Sequence, residues 1–284
     1  MRVRFPLQAP HLSLMKTIFA LLGIALLSAC VGDGNTSPNV TDIQAKGLSY
    51  GERAEFDFFG TYLDKGLSAS VPNCTGQTPA FISPIHQVLT CTVNGIGALN
   101  VEVRDGAGAL IFSKSFTVPA PRAAMVTSLG NLIVELDPTN APLSTNNFLR
   151  YVQSGYYTET IFHRVIPRFV IQGGGFNSGL VVAPGTFAPI SQESRNGLSN
   201  LRGTLAMARS ADPNSATSQF YLNLADNVAL DYKDANNLGY AVFGKLVQGF
   251  EVMDAIGAVT TGTVNGVPDV PTTDILIKTA LRIQ

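Results

Sequence analysis

The stretch from Phe162 to Phe176 constrains the fold and the chemistry of this chain more than any other. It reads FHRVIPRFVIQGGGF, in which apolar residues alternate with polar ones. Such alternation predicts a strand with one buried face. Arg164 and Gln172 lie among aromatic and aliphatic residues, and three glycines allow a turn or a close backbone approach. An apolar wall with a few fixed hydrogen-bonding groups is typical of a small binding site.

The composition favours a folded chain rich in β-structure. Of 284 residues, 45% are hydrophobic, which is enough for a packed core. The 27 glycines and 16 prolines indicate many turns. Charged residues make up 14% of the chain and the formal net charge is -1, so we expect no nucleic-acid partner.

Residues 1–30 are typical of a signal peptide. Lys16 precedes an apolar run, Thr17–Leu27, which is too short to span a bilayer. Met15 is the candidate true start. The run leads into Leu-Ser-Ala-Cys30, which resembles the lipobox of bacterial lipoproteins and implies lipid attachment at Cys30. An ordinary secretory signal with an incidental cysteine is the alternative.

The lipoprotein resemblance implies a location in the bacterial cell envelope. The chain would be held at a membrane through its lipid anchor and would face the periplasm. Val31 follows the cysteine, where an aspartate would favour retention in the inner membrane. This residue therefore favours the outer membrane.

The two remaining cysteines form a natural pair. An exported chain reaches an oxidising compartment, so we predict a disulfide between Cys74 and Cys91, with two free buried thiols as the alternative. No zinc-type cysteine spacing is present, and His11, His86 and His163 are isolated in sequence. We therefore expect no metal site.

The segment after the anchor divides into a tether and a region of short strands. Residues 31–42 are rich in Gly, Asn, Ser, Thr and Pro, which predicts a flexible tether. Residues 43–118 predict an immunoglobulin-like β-sandwich, acting as a spacer or a protein-binding module. A proline-rich linker follows at 119–122. The strands of the sandwich are predicted at Ala54–Gly60, Val88–Val93, Leu99–Arg104 and Ala109–Val118.

Residues 123–284 predict many antiparallel strands and two helices. The first helix begins at Ala141-Pro142 and ends at Gly155, a residue typical of helix C-termini. The second helix has an apolar side made of Phe250, Met253 and Ile256. This combination fits a closed β-barrel capped by helices. Further strands are predicted at Gly203–Arg209, Gln219–Leu224, Tyr240–Lys245 and Ile275–Ile283.

Two segments of this region carry a resemblance to a known family. Phe162–Pro167 with Phe169 and Gln172–Gly174, and then Ser215–Tyr221, resemble the signature segments of the cyclophilin family of peptidyl-prolyl isomerases. The resemblance covers Ala123–Gln284. It implies a mainly β fold, an eight-stranded closed barrel capped by two α-helices. It also implies isomerisation of Xaa-Pro bonds in unfolded or flexible proline-containing polypeptides, without a cofactor.

The resemblance implies roles for individual residues. Arg164 matches the catalytic arginine of the family, Phe169 the aromatic floor of the proline pocket, and Gln172 the glutamine that holds the substrate backbone. His163 matches a family histidine, whose role we interpret as mainly structural. Further positions of the substrate pocket are matched by Met207, Ala208, Gln219, Tyr221, Leu230 and Tyr240.

Three residues depart from the family pattern. Tyr221 replaces the usual phenylalanine and adds a hydroxyl that needs a partner. Ala229 stands where an aromatic residue is usual, which makes cyclosporin binding doubtful. Arg168 replaces a common glycine and brings a second positive charge near the site; either it recruits acidic residues of the substrate or it lies in solvent.

Other functions remain open or find little support. Gly173–Gly175 lacks a following lysine and is not a phosphate-binding loop, and no Gly-x-Ser-x-Gly motif of a serine hydrolase is present. Two alternatives to an isomerase of exported proteins remain. One is a non-catalytic chaperone that binds proline loops, and the other is a structural surface lipoprotein.

Overall fold

The structure is a computed structural model that describes residues 37–284. The predicted signal peptide, Cys30 and the first part of the predicted tether lie outside the described residues. Within residues 37–284, no helix combines the length and the apolar character that crossing a membrane requires.

Residues 39–118 form seven strands in two antiparallel sheets. One sheet has the order β1-β2-β5-β4 and the other the order β3-β6-β7. Side chains from both sheets, such as Phe56 and Val101, share one apolar core. The strands are β1 (Asn39–Lys46), β2 (Arg53–Thr61), β3 (Ser68–Ser70), β4 (Cys74–Ser83), β5 (His86–Val93), β6 (Gly97–Arg104) and β7 (Leu110–Val118).

The sequence located four of these strands and missed three. β1 begins at Asn39, so residues 39–42 belong to a strand and the tether predicted there is wrong. The reason is that Val40 is 4% exposed and packs in the core despite its polar neighbours. β4 escaped prediction because nearly all of its residues are exposed, so it shows no alternating pattern. The immunoglobulin-like assignment itself stays a prediction.

A disulfide joins Cys74, at the start of β4, to Cys91 on β5. Both residues are buried in the core of the two-sheet unit. The bond therefore attaches the exposed edge strand β4 covalently to its neighbour.

The C-terminal part forms a closed barrel. Eight strands follow the order β10-β18-β8-β9-β15-β13-β14-β11, and the pairing of β10 with β11 closes the ring. This confirms the predicted mainly β fold, an eight-stranded closed barrel with two helices. The elements are β8 (Arg122–Thr127), β9 (Gly130–Leu136), α1 (Pro142–Gln153), β10 (Thr160–Ile166), β11 (Val170–Asn177), β12 (Val181–Val182), β13 (Thr204–Met207), β14 (Phe220–Asn223), β15 (Val242–Gln248), α2 (Phe250–Gly257), β16 (Thr261–Val264), β17 (Val267–Pro271) and β18 (Leu276–Arg282).

The stretch 162–176 is a hairpin, and the single strand predicted there is wrong. β10 ends at Ile166 and β11 begins at Val170, in antiparallel register. Arg168 makes the turn with a φ of 59°, in the left-handed region that favours glycine. The turn was not recognised because the residue at this position is arginine. Arg122, assigned to the linker from sequence, is the first residue of β8.

The two helices complete the barrel core. Phe148 on α1 packs against Phe220 and Phe243 of the barrel, with ring centroids 5.5 Å apart in both pairs. Met253 and Ile256 of α2 are fully buried in the same core. Phe250 was predicted on the apolar side of α2 but is 39% exposed, because it begins the helix.

The two-sheet unit is docked on the barrel through the loop between β1 and β2. Tyr50 in this loop is 4% exposed and belongs to the barrel core, and its hydroxyl donates to Asn146 Oδ1 on α1 at 3.0 Å. Arg282 at the end of β18 donates to Glu52 Oε1 at 2.9 Å and to the carbonyl of Tyr50. These contacts fix one end of the two-sheet unit on the barrel.

His163 on β10 is a packing residue. It is 6% exposed, and its ring centroid lies 4.7 Å from that of Phe176. Burial lowers the pKa of His163 from its ordinary value of 6.5 to about 4. The neutral imidazole is therefore the form that the fold accommodates.

We expect removal of the disulfide to destabilise the chain. The bond closes a loop with a separation of 17 residues. Loops of this length correspond to about 3 kcal/mol of the free energy of unfolding. Urea unfolding of the double variant Cys74→Ala, Cys91→Ala measures this loss. Reductant should lower the unfolding midpoint of the unchanged chain and leave that of the double variant where it is; an equal response in both would contradict the prediction.

We expect His163 to make stability depend on pH. As the pH falls below 6.5, the unfolded chain takes up a proton at this residue, whereas the folded chain does so only at about pH 4. In that window the free energy of unfolding should fall by about 1.4 kcal/mol per pH unit, or about 3 kcal/mol in all.

Urea unfolding between pH 4 and pH 7 of the unchanged chain and of His163→Gln isolates this contribution, because the carboxylates titrate in both proteins. The variant should show the shallower loss of stability toward low pH. Equal pH slopes in the two proteins would show that His163 is not responsible.

Candidate functional site

A cavity of about 470 Å³ lies against the β10–β11 hairpin and the strands that follow it in the barrel. It brings together residues that are far apart in the chain, from the β10–β11 hairpin and four later segments. Its lining consists of Arg164, Phe169, Val170, Gln172, Ala208, Arg209, Tyr221, Leu230 and Tyr240.

The hairpin register places the two polar groups of the signature stretch side by side. Arg164 on β10 pairs with Gln172 on β11, and Arg164 Nη1 lies 3.4 Å from Gln172 Oε1. Gln172 Nε2 donates to Gln219 Oε1 at 2.9 Å. Gln172 therefore has its carbonyl toward Arg164 and its amide toward Gln219, which fixes its orientation.

The charge of Arg164 is only weakly compensated. Its Nε lies 3.9 Å from Asp269 Oδ2, and both side chains are 39% exposed. Ion pairs with this exposure contribute at most about 1 kcal/mol, because water screens them. The guanidinium is therefore half-buried in the cavity wall and able to bind a further acceptor.

The apolar wall of the cavity is a cluster separate from the barrel core. Val170, Ala206 and Val242 are buried in it, and Phe169 and Leu230 pack against it. The rings of Tyr221 and Tyr240 meet edge to face with centroids 5.9 Å apart. The wall therefore offers an apolar surface to a small hydrophobic group.

The hydroxyl of Tyr221 has a buried partner, as its presence in the wall requires. It donates to Asn200 Oδ1 at 2.7 Å. Asn200 is itself fully buried and donates through its backbone N and its Nδ2 to Asp231 Oδ1, at 2.7 and 2.9 Å. Burial raises the pKa of Tyr221 well above its ordinary value, so the hydroxyl keeps its proton.

The glycines of the signature stretch allow close packing behind the cavity. Gly174 has a φ of 79°, and a Cβ there would lie 2.8 Å from the ring of Tyr157 and 2.9 Å from the carbonyl of Ser218. A Cβ on Gly175 would lie 2.5 Å from the side chain of Gln219. The glycines therefore leave the space that lets Gln219 reach Gln172.

Three of the candidate residues lie outside this cavity. Met207 is 3% exposed, and its side chain packs in the barrel core. Gln219 lines an adjacent cavity of about 310 Å³, which it shares with Gln172 and Ala208. His163 packs on Phe176 instead of lining the cavity.

Two of the three residues that depart from the family pattern also lie outside the lining, whereas the third, Tyr221, is part of it. Ala229 is exposed in a short 3-10 turn, Val228–Leu230. Arg168 is exposed at the hairpin turn. This position favours the solvent-exposed interpretation of its charge over a role in the cavity.

Sequence reasoning missed two lining residues, Val170 and Arg209. Arg209 joins the main cavity to the adjacent one. Its Nη2 donates to the carbonyl of Gly239 at 2.9 Å, and its guanidinium carbon lies 4.6 Å from the centroid of the Tyr240 ring. Their positions in the sequence could have indicated them, because Val170 directly follows the candidate Phe169 and Arg209 directly follows the candidate Ala208.

The lining limits the chemistry to binding and hydrogen bonding. It contains no serine, cysteine or histidine that would act as a nucleophile or general base. It offers two guanidinium groups, one amide and an apolar wall. Such groups favour one geometry of a bound peptide over another without breaking a covalent bond.

Comparison with known proteins places the barrel in a family. The family described as "Cyclophilin type peptidyl-prolyl cis-trans isomerase/CLD" matches residues 122–281. Peptidyl-prolyl cis-trans isomerase A of Dickeya dadantii is 48% identical over 174 residues, 61% of this chain and 90% of the relative. Peptidyl-prolyl cis-trans isomerase cyp18 of Streptomyces antibioticus is 49% identical over 156 residues, 54% of this chain and 93% of the relative.

A third relative, peptidyl-prolyl cis-trans isomerase B of Escherichia coli, is 44% identical over 154 residues, 54% of this chain and 93% of the relative. The family match spans more than half of the chain and includes every residue that lines the cavity. The chain therefore belongs to the cyclophilin family of peptidyl-prolyl cis-trans isomerases and is an isomerase.

Proposed function

We propose that this isomerase accelerates rotation about Xaa-Pro bonds during the folding of exported proteins, and that Arg164 performs the catalytic step. The observation that carries the proposal is the position of Arg164 in the cavity wall, opposite Gln172 and in the same lining as Phe169. Among residues 37–284 its only carboxylate neighbour is Asp269, which is half-buried and 3.9 Å away. Its donors therefore remain available to a substrate.

The reaction requires stabilisation of a twisted amide. Rotation about a peptide bond meets a barrier of about 18–20 kcal/mol, because amide resonance is lost. In the twisted state the proline nitrogen becomes pyramidal and accepts a hydrogen bond. Arg164 donates this bond, which neither planar form accepts, and every ~1.4 kcal/mol of such preference increases the rate tenfold.

The remaining cavity residues hold the substrate during rotation. Phe169 and Leu230 contact the proline ring, and the amide of Gln172 binds the neighbouring backbone. No bond is made or broken, so the residues of the chain supply all the groups that this mechanism needs. The substrates are unfolded or flexible polypeptides, because the cavity must receive a segment of backbone on both sides of the proline.

The proposed site of action is the periplasmic face of a bacterial membrane, the outer membrane in preference to the inner one. Lipid attachment at Cys30 would provide the anchor, as the lipobox resemblance implies. The disulfide between Cys74 and Cys91 supports an oxidising compartment. The two-sheet unit, which we propose to be immunoglobulin-like, would act as a spacer between anchor and barrel.

We expect Arg164→Ala to reduce kcat/KM for a short Xaa-Pro peptide. A charge-assisted hydrogen bond contributes about 1.5–3 kcal/mol, which corresponds to a loss of about tenfold to a hundredfold. Arg164→Lys should recover part of the rate, since it keeps the charge but not the planar donor geometry. A protease-coupled assay of proline isomerisation measures all three proteins.

Arg168→Gly is the matched control, because it removes a neighbouring positive charge from an exposed turn whose φ of 59° suits glycine. Its kcat/KM should stay within about twofold of the unchanged chain. Equal rates for the unchanged chain and Arg164→Ala would remove Arg164 from the mechanism. Peptide binding without turnover in the unchanged chain would instead favour the non-catalytic chaperone.

We expect Tyr221→Phe to cost about 1 kcal/mol of the free energy of unfolding, because it removes the buried hydrogen bond to Asn200. Tyr240→Phe is the control, since the Tyr240 hydroxyl makes no hydrogen bond within residues 37–284. Urea unfolding of both variants tests the difference. An equal loss of stability in the two variants would show that the Tyr221–Asn200 bond is not the cause.

A further inference from the structure

The two-sheet unit exposes four large apolar side chains at one end. Tyr62 follows β2, Phe81 and Ile82 lie near the end of β4, and Ile85 lies in the β4–β5 turn; they are 45%, 59%, 56% and 62% exposed. We call these four residues the distal tip. Residues 60–63 and 79–85, which carry them, contain no Asp, Glu, Lys or Arg, and the adjacent Asp64 and Lys65 form an ion pair with each other at 3.0 Å.

Backbone hydrogen bonds join the two segments of the distal tip into one patch. Gly60 N donates to the carbonyl of Ile85 at 3.2 Å, and Leu63 N donates to the carbonyl of Pro84 at 2.9 Å. Tyr62 lies in the chain between these two bonds, so its backbone is held beside the turn that carries Ile85. A group of exposed apolar side chains on a folded surface is typical of a contact with a lipid phase or a partner.

The distal tip lies at the end of the unit that faces away from the barrel. In the β2–β5 pair, Phe59 is opposite His86 at the tip, and Arg53 is opposite Thr92 at the other end. The loop that docks on the barrel directly precedes Arg53. Strand β2 has 9 residues. A strand of this length spans about 30 Å, which separates the tip from the barrel.

The chain enters the two-sheet unit at this same end. Asn39, the first residue of β1, is paired with Thr61, the neighbour of Tyr62. Residues 31–38 connect Cys30 to Asn39, and a fully extended chain of this length reaches about 30 Å at most. A lipid attached at Cys30 would therefore keep the entry point, and with it the tip, near the bilayer surface.

We propose that the distal tip inserts its apolar side chains into the lipid surface that holds the anchor. The inference rests on the lipid attachment in the proposed function and adds a second, folded contact with the membrane. The chain enters the unit close to the proposed lipid anchor, and the four uncharged apolar side chains lie at the same end. These two facts favour lipid over a protein partner. Burial of apolar area drives the contact, and the tyrosine occupies the polar–apolar boundary, as aromatic residues do at bilayer interfaces.

The proposed contact has a consequence for the isomerase. With the tip at the surface, the two-sheet unit stands on the membrane and carries the barrel at its far end. The fixed docking of Tyr50 and Arg282 then holds the barrel away from the lipid. The cavity is in this way kept accessible to polypeptides in the periplasm.

Tryptophan fluorescence tests the contact, because the sequence contains no tryptophan. Tyr62→Trp places the fluorophore in the tip, and Leu129→Trp places it at an equally exposed position, also 45%, in the β8–β9 turn of the barrel. Each full-length protein, isolated from bacterial membranes, is reconstituted into phosphatidylcholine vesicles with and without brominated acyl chains. Isomerase turnover shows that each variant is folded.

We expect brominated lipid to reduce the emission of Tyr62→Trp by at least about twofold, with a shift to shorter wavelength. The emission of Leu129→Trp should not change. Adding Phe81→Ser and Ile85→Ser to Tyr62→Trp should abolish the quenching. Anionic lipid and salt should have little effect, because the four side chains are uncharged and the adjacent Asp64 and Lys65 neutralise each other. Quenching of neither tryptophan, or of both equally, would overturn the proposal.

Mass spectrometry of Cys30 in the same samples separates the tip from the anchor. If Cys30 carries a lipid but the tryptophan at position 62 is not quenched, the proposed anchor stands and the tip contact is overturned. If that tryptophan is quenched but Cys30 carries no lipid, the tip contact is supported and the anchor is refuted. Two further outcomes would also overturn the contact. One is a blue shift that arises without vesicles on adding an unfolded proline-containing polypeptide. The other is a dimer in solution that the two serine substitutions dissociate.

Discussion

The antiparallel pairing of β10 with β11 is the interaction on which the rest of the molecule depends. It closes the barrel, because these strands are the two ends of the ring. The same register sets Arg164 opposite Gln172 and so forms the polar side of the cavity. Fold closure and site geometry therefore share one set of backbone hydrogen bonds. A slip of one residue would turn Arg164 into the core, and this links the site to the stability of the barrel.

The wall of the cavity is stabilised from behind by polar groups that are fully satisfied. Tyr221, Asn200 and Asp231 form a continuous chain of hydrogen bonds between β14 and two loops. Buried polar groups are costly when unpaired, so such a chain holds its loops in one arrangement. One of these loops leads into Leu230, an apolar residue of the lining. The added hydroxyl of Tyr221 is in this way part of the support of the pocket.

The two-sheet unit has two different ends. One end inserts Tyr50 into the barrel core and binds Arg282, so the connection is a packed contact as well as a short linker. The other end exposes the apolar side chains of the distal tip and is adjacent to the point where the chain enters. The proposed role as a spacer depends on this docked contact with the barrel, since the unit contributes no residue to the cavity.

The sequence by itself determined the features that depend on local pattern. Alternation and turn residues located most strands, glycine and proline marked the first helix, and the signature residues pointed to Arg164, Phe169 and Gln172 before any pairing was known. Prediction from local pattern failed where a residue is atypical of the structure that it adopts. Arg168 has a left-handed backbone conformation at a turn where glycine is expected, so the turn was not recognised. The exposed strand β4 shows no alternation of apolar and polar residues.

Only the tertiary structure decided which residues share a surface. Arg209 enters the cavity because β13 lies beside β14 in the ring, and His163 faces the core although it is next to Arg164. The apolar tip is likewise not recognisable in the sequence, because the segments that carry Tyr62 and Ile85 are joined by backbone hydrogen bonds between distant parts of the chain. Strand register and strand order depend on contacts between residues that are distant in the chain. The sequence pattern shows only the local preference of each segment for helix, strand or turn.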